Sequence, residues 1–379
     1  MNIRETFDGV YDDLTVLVTG HTGFKGTWLS MWLDLLGAHV IGYSLDPPTT
    51  PNHFEMSGMK DRMEDIRADI MDLGRLTGVM EEYQPRVVFH MAAQPIVTES
   101  YERPRETFAV NALGTINVLE AIRTTRSVRA AVFVTSDKCY RNKDWLWGYR
   151  ENDDLGGGDP YSASKAMAEI AVEAYRDAYF PGNRRGEHTA AVASARAGNV
   201  VGGGDWARNR LLPDIIRALT EGRPIDIRNP AATRPWQFVL SPLCGYMWLG
   251  VQLLREGAQF AGPWNFGPVD PSSDSVLQIV EKVIRLWGSG RWRDISTGHA
   301  PHEAHWLTLT WEKAATRLEW HPTYALPEVL SGTVEWYREW HRQGAGANMY
   351  DFSTEQIRAY TEVASRRNIR WACPGPADR

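Results

Sequence analysis

Short apolar, β-branched runs alternate along this chain with longer stretches whose apolar positions recur every three to four residues. The first run is Leu14–Thr19 (LTVLVT). Glycines follow at once, then a helical pattern over Trp28–Leu36. Further runs stand at Val40–Tyr43, Val87–Met91, Ala130–Thr135 and Thr189–Ala195. Between them the spacing predicts helices over Leu73–Tyr83, Pro104–Thr124 and Tyr161–Phe180, the last rich in Ala, Glu and Lys. Strands alternating with helices imply α/β architecture: a doubly wound parallel sheet covered on both faces, with right-handed crossovers. After about residue 200 the rhythm changes. A glycine-rich loop, Val201–Asp205 (VGGGD), is followed by frequent proline, tryptophan and arginine. This predicts a smaller, mostly helical C-terminal lobe. Its last helix is expected over Ser353–Arg366, with a polar tail beyond it.

The length of 379 residues suits two lobes around a cleft, and 43% hydrophobic residues supply a large core. The balance of 41 basic against 47 acidic residues, a net charge of -6, lacks the basic stripe that nucleic acid requires. Cys139, Cys244 and Cys373 are far apart, in no metal-like or disulfide-framework spacing, which fits a reducing cytoplasm. Met1–Thr15 carries acidic residues and no apolar run, so it does not read as a signal peptide. No stretch approaches the length of a membrane helix. Sixteen tryptophans fit core and interface packing, and make Trp145, Trp147, Trp206 and Trp236 alternatives for sugar-stacking aromatics.

Gly20, Gly23 and Gly26 (TGHTGFKG) lie between the first strand and the first helix. The first glycine permits a tight turn, the second lets backbone N–H groups approach a diphosphate, and the third lets helix and strand pack closely. The helix N-terminus then faces negative charge. This is the pattern of a Rossmann-type dinucleotide fold. Asp46, after the second strand, is placed to hold the adenosine ribose hydroxyls. An acid there favours NAD, because it repels the 2′-phosphate of NADP; the alternative is a turn aspartate before Pro47 and Pro48. The NAD-binding domain is expected over residues 1–198, with a returning segment near 235–262. Residues 199–234 and 263–379 are expected to form the substrate lobe.

Tyr161 and Lys165 form Y-x-x-x-K on the strongest helical pattern. Residues four apart share a face, so the ammonium lowers the phenol's pKa and lets it accept a proton from a sugar hydroxyl. The strand ending in Thr135-Ser136 supplies a hydroxyl for the same centre.

With these residues in view, the chain resembles the extended short-chain dehydrogenase/reductase family, and within it the CDP-glucose 4,6-dehydratase group. The resemblance rests on Thr19–Leu33, HMAAQP (His90–Pro95), TSDKCY (Thr135–Tyr140), Trp147–Lys165, ARAGNVVGGGDW (Ala195–Trp206), TRPWQFVL (Thr233–Leu240) and PHEA (Pro301–Ala304). It implies an NAD-dependent lyase that oxidises a nucleotide-activated glucose at carbon 4, eliminates water across carbons 5 and 6, and returns hydride to carbon 6. It further implies a catalytic set of Ser136, Asp137, Lys138, Tyr161 and Lys165. Cofactor contacts are implied at Gly20, Thr22, Gly23, Phe24, Gly26, Asp46, Asp69, Ile70, Ala92, Ala93, Gln94, Tyr161 and Lys165. Substrate contacts are implied at Gln94, Asn199 and Arg234, and as weaker candidates at Arg208 and Arg210, for which a solvated loop is the alternative. A homodimer through a four-helix interface of Pro104–Thr124 and Tyr161–Phe180 is implied as well.

Asp137 is matched to the acid that protonates the departing carbon 6 hydroxyl. Lys138 stands where the related dTDP-glucose dehydratases have a glutamate base. It is either the carbon 5 base, which must act as a neutral amine, or the cation that holds enolate charge. Phe238 stands where the resemblance leads one to expect His, and Ser241 where it leads one to expect an acid, which leaves the nucleotide base open. The spacing of His299, His302 and His305 invites a metal, but Pro301 breaks any regular helix there and no metal is expected. Cys139 has no paired base and is read as a packed side chain. Two alternatives share the scaffold: a nucleotide-sugar epimerase or reductase, and a non-catalytic NAD-sensing protein.

Overall fold

Among the described residues, seven parallel strands in the order β10-β6-β5-β4-β1-β2-β3 form the central sheet. The computed structural model of the chain describes residues 2–180, 190–269, 274–296, 307–344 and 346–373. In chain order the described strands are β1 (Thr15–Thr19), β2 (His39–Ser44), β3 (Glu64–Arg67), β4 (Val87–His90), β5 (Ala130–Val134) and β6 (Ala191–Ala197). They continue with β7 (Asn199–Val201), β8 (Ile225–Ile227), β9 (Trp236–Phe238), β10 (Gly262–Phe266) and β11 (Trp292–Asp294). The apolar runs follow from covering both faces. Val16 and Val18 of β1 join one core cluster while Leu17 joins the other; Ala130 and Val132 of β5 point one way and Ala131 and Phe133 the opposite way. Each residue therefore meets helices whichever way it points, and polar alternation disappears.

The structure adds a strand that hydropathy does not predict. β3 has the sequence EDIR and, among the described residues, pairs only with β2, at the sheet edge. An edge strand with charged side chains is protected from further pairing and needs little apolar content. The Pro104–Thr124 segment is helical as expected, but a π-turn over Ala109–Leu113 interrupts it and buries Asn111. The helix Pro160–Tyr179 starts on a defined cap. Asp159 accepts a hydrogen bond from the Ser162 amide at 2.9 Å, and Pro160 occupies the first turn. Thr189, the expected start of a strand, lies outside the described residues, and β6 begins at Ala191.

β10, the seventh strand, runs to Phe266, four residues past the expected end of the returning segment. The helix Leu240–Glu256 leads into it and packs against β5 and β6. The C-terminal helices Leu326–Gln343 and Tyr350–Arg366 share their core with the sheet: Trp336 and Tyr360, with Trp371 of the turn Arg370–Ala372, are buried in the same cluster as Val16 and Trp32. One close approach locks the glycine-rich loop. Trp28 Nε1 donates to the Gly203 carbonyl at 2.9 Å, and a Cβ at Gly203 would stand 2.0 Å from the Trp336 ring. Trp206 is 6% exposed and lies edge-on to Tyr337 and Trp340. It is a core residue, which corrects the sugar-stacking alternative at that position.

Candidate active site

The glycine loop sits at the C-terminal end of β1, where strand order reverses between β1 and β4. Gly20 has φ +74°, and a Cβ there would stand 2.7 Å from the Ala92 amide. A Cβ at Gly26 would stand 2.1 Å from the Gly20 carbonyl. The helix Phe24–Leu35 begins at Gly23 with no side-chain cap, so its first N–H groups remain for an anion. This cradle fits a dinucleotide diphosphate.

Around it, Thr22 Oγ1 lies 2.9 Å from Ser44 Oγ and donates to the Leu45 carbonyl at 3.0 Å, tying the loop to the end of β2. Asp46 stands just beyond, its side chain 93% exposed and 3.4 Å from Arg67 Nη1. Asp69 Oδ1 accepts from the Met71 amide at 2.9 Å, and Ile70 is buried beside Gly114. Ala92 and Ala93 follow β4, the Ala92 amide donating to Thr19 Oγ1 at 3.2 Å. The Gln94 side chain is tied down: Nε2 donates to the Ile96 carbonyl at 3.1 Å and to Thr107 Oγ1, on the helix Pro104–Phe108, at 2.9 Å. Partly buried Phe24 opens the helix.

The end of β5 delivers the expected reacting groups to one place. Ser136 caps the short turn Asp137–Cys139, its hydroxyl accepting from the Lys138 amide at 3.2 Å and donating to Asp137 Oδ1 at 2.9 Å. Lys138 Nζ stands 3.4 Å from Asp137 Oδ1. Asp137 is buried, and its Oδ2 has no hydrogen-bond partner among the described residues. Tyr161 enters from the first turn of the Pro160–Tyr179 helix. Burial raises its pKa, while a hydrogen bond with Ser136 and the charges of Lys138 and Arg210 lower it. Lys165, one turn on, is buried and brought down to about 8 by desolvation. Ser136, Asp137, Lys138, Tyr161 and Lys165 thus form one constellation.

Three further residues belong to this centre and escaped the sequence analysis in that role. Lys25, on the first helix, is pushed down to about 7 by burial and then by the charges of Lys165 and Arg210. Its one signal was a charge inside an otherwise apolar helix start. Asn111, from the π-turn, donates to Ser164 Oγ at 2.9 Å and so braces the helix bearing Tyr161. Arg210, set aside as a weaker alternative, pairs with Asp205 at 2.9 Å and acts on both Tyr161 and Lys25, whereas Arg208 is exposed.

Asn199 opens β7 opposite Trp236, and Arg234 stands before β9, its Nη1 donating to the Thr233 carbonyl at 2.7 Å. Phe238 and Ser241 turn out to be core residues: Phe238 stacks on Tyr324, and Ser241 Oγ accepts from Tyr360 at 3.1 Å. Cys139 is fully buried and its thiol is pushed well up by desolvation, opposite to what a nucleophile needs. His299, His302, His305 and Pro301–Ala304 lie outside the described residues. Among the described residues, no group of three His, Cys, Asp or Glu side chains is placed to hold a metal.

A model of the NAD dependent epimerase/dehydratase family matches residues 16–241, more than half of the chain. The chain belongs to this family. A CDP-glucose 4,6-dehydratase of Salmonella typhimurium is 46% identical over 93% of this chain and 97% of its own length. A UDP-glucose 4-epimerase of Mycolicibacterium smegmatis is 31% identical over 86% of this chain and 99% of its own. A Streptomyces venezuelae dTDP-glucose 4,6-dehydratase, solved with NAD, superposes with a TM-score of 0.71 at 22% identity, covering 88% of this chain and 100% of that one. That last likeness establishes the fold. Membership of the NAD dependent epimerase/dehydratase family makes NAD the cofactor. Among the described residues, no helix is long and apolar enough to cross a membrane.

Proposed function

We propose that this protein is a CDP-glucose 4,6-dehydratase, forming CDP-4-keto-6-deoxyglucose. The observation that carries this reading is Asp137: a buried carboxylate with an unpartnered oxygen, beside Lys138 and within electrostatic reach of Tyr161. An epimerase has no use for a buried acid at that point, whereas water loss needs one. The 46% identity to a CDP-glucose 4,6-dehydratase, with both chains nearly fully covered, supports the same substrate.

Tyr161, aided by Ser136 and the Lys165 cation, takes the proton from the carbon 4 hydroxyl. Bound NAD supplies the chemistry of hydride removal at carbon 4 and its return at carbon 6. The resulting carbonyl acidifies the carbon 5 proton. Proton transfer within the Lys138–Asp137 pair, 3.4 Å apart, makes Asp137 the acid that gives its proton to the departing carbon 6 hydroxyl. Lys138, left as a neutral amine by that transfer, accepts the carbon 5 proton, and the ammonium so formed holds enolate charge. Arg234 and Arg210 are assigned to the diphosphate, with Asn199 near the sugar and Arg208 and Gln94 at the rim. Asp46 is assigned to the adenosine ribose.

The exposed apolar side chains of Leu113, Met167 and Ile170 lie on the two helical segments expected to pair, which supports a homodimer through four helices. Three free cysteines among the described residues fit a cytoplasmic enzyme.

The test is incubation with a panel of nucleotide-glucoses in deuterated water, followed by mass spectrometry. Only CDP-glucose should lose one water and gain deuterium at carbon 5. A product with the mass of its substrate would overturn the dehydratase reading in favour of an epimerase.

A further inference from the structure

Behind the reacting groups lies a second, fully buried cluster. Glu169 stands one turn beyond Lys165 on the same face of the Pro160–Tyr179 helix, with its side chain 3% exposed. Both carboxylate oxygens are used. Oε1 accepts from Thr135, the residue immediately before Ser136 and Asp137. Oε2 accepts from Ser194 at 2.6 Å and from Arg196 Nη2 at 2.8 Å, both on β6. Arg196 then donates through Nη1 to the Tyr140 hydroxyl at 2.7 Å and to the Glu151 carbonyl at 3.0 Å. Tyr140 follows the Asp137–Cys139 turn directly, and its hydroxyl donates to Asn265 Oδ1 of β10 at 2.8 Å. One carboxylate therefore joins the end of β5, the helix bearing Tyr161 and Lys165, and the strand that leads to Asn199.

We propose that Glu169 is the positioning residue of this active site, pinning the Ser136–Asp137 turn to the Tyr161 helix and serving as the buried counter-ion of the Lys165 ammonium. This inference rests on the dehydratase reading above. The charges facing Lys165 leave that task to Glu169. On its own helix stands Tyr161, one turn before it. From β4, His90 is buried and pushed down to about 3, by burial and then by Lys165, so it is neutral. From the first helix, Lys25 opposes a second cation. From the turn after β5, Cys139 is buried as a thiol, and the Asp137 carboxylate is paired with Lys138 at 3.4 Å, whereas Glu169 is the carboxylate that acts on Lys165. Arg196 lies on β6 and pairs with Glu169 Oε2 at 2.8 Å. Burial favours the neutral amine of Lys165, and Glu169 is the anion that opposes it.

Removing the anion should make Lys165 lose its proton at lower pH. The alkaline limb of the carbon 4 oxidation step should then move down, by about 1–3 pH units for a buried neighbouring charge. The experiment is single-turnover oxidation of CDP-glucose by NAD-loaded enzyme across pH, in Glu169→Gln. Glu169→Asp, which keeps the charge and shortens the reach, should slow the step and leave the limb in place. Thr135→Val, which keeps the charge and cuts the tie to β5, should do the same. Because Glu169→Gln strands the Arg196 guanidinium in the interior and so risks misfolding, Glu169→Gln/Arg196→Met serves as a second variant. It removes both charges and should show the same lowered limb. A folded variant without the Glu169 charge whose alkaline limb stays at the wild-type position overturns the proposal. Wild-type enzyme that forms no 4-keto-6-deoxy product from CDP-glucose overturns instead the reading on which it rests.

Discussion

Replacing Asp137 with Asn separates the two halves of the reaction. The substitution keeps the volume and leaves Oδ1 to accept from the Ser136 hydroxyl, now at 2.9 Å. It removes the proton that Oδ2 would deliver. Lys138 loses its ion-pair partner, but its side chain is 31% exposed, so water replaces the contact and the folding cost should be about 0–1 kcal/mol. Tyr161, Ser136 and Lys165 are untouched, and loss of the Asp137 charge removes an influence that raises the Tyr161 pKa. Oxidation at carbon 4 should therefore proceed at or above the wild-type rate. Loss of water should slow by about 10²–10⁴-fold, the usual effect of one missing acid. That corresponds to about 3–5 kcal/mol in the barrier. The assay is stopped-flow absorbance of the reduced nicotinamide with CDP-glucose, paired with mass spectrometry of quenched samples. The absorbance should rise rapidly and persist, while dehydrated product accumulates slowly. Water loss at the wild-type rate would refute the role of Asp137. Loss of the absorbance rise would place Asp137 in the first step instead.

Tyr161→Phe should abolish that rise, since no base remains for the carbon 4 hydroxyl; a wild-type amplitude would remove Tyr161 from the chemistry. Gly26→Ala puts a Cβ 2.1 Å from the Gly20 carbonyl, which cannot yield without moving the loop. Such overpacking costs about 1–3 kcal/mol, and it should appear as loss of bound dinucleotide; denatured wild type should release NAD, and denatured Gly26→Ala little of any dinucleotide. Met167→Lys combined with Ile170→Glu places charges on two exposed apolar positions and should convert a dimer to monomers by light scattering. A wild type that is already monomeric would remove the four-helix interface.

The sheet was legible because burying a strand on both faces forces continuous apolar runs, as in β1, β4 and β5. The glycine loop was legible because only glycine survives the contacts between Gly20, Gly26 and Ala92. Tyr161 and Lys165 were legible because they are local, four residues apart on one helix. What hydropathy missed lacks a local signature. β3 is charged, and among the described residues it pairs on one edge alone. Phe238 and Ser241 look like departures at a binding site along the chain, yet both are buried in the core.

Lys25, Arg210 and Glu169 are single charged residues; beyond the apolar helix start around Lys25, nothing in their sequence neighbourhoods sets them apart from solvated charges. The pairing of strands 50 or more positions apart brings Glu169 under Thr135 and Arg196, and folding of the C-terminal lobe onto the same core brings Arg210 toward Tyr161. The physical reason is range. Propensity, periodicity and steric necessity act between neighbours along the chain and can be read from it. Desolvation and Coulomb attraction act between neighbours in space, and they assign a role to a charge only after tertiary structure has removed the water around it.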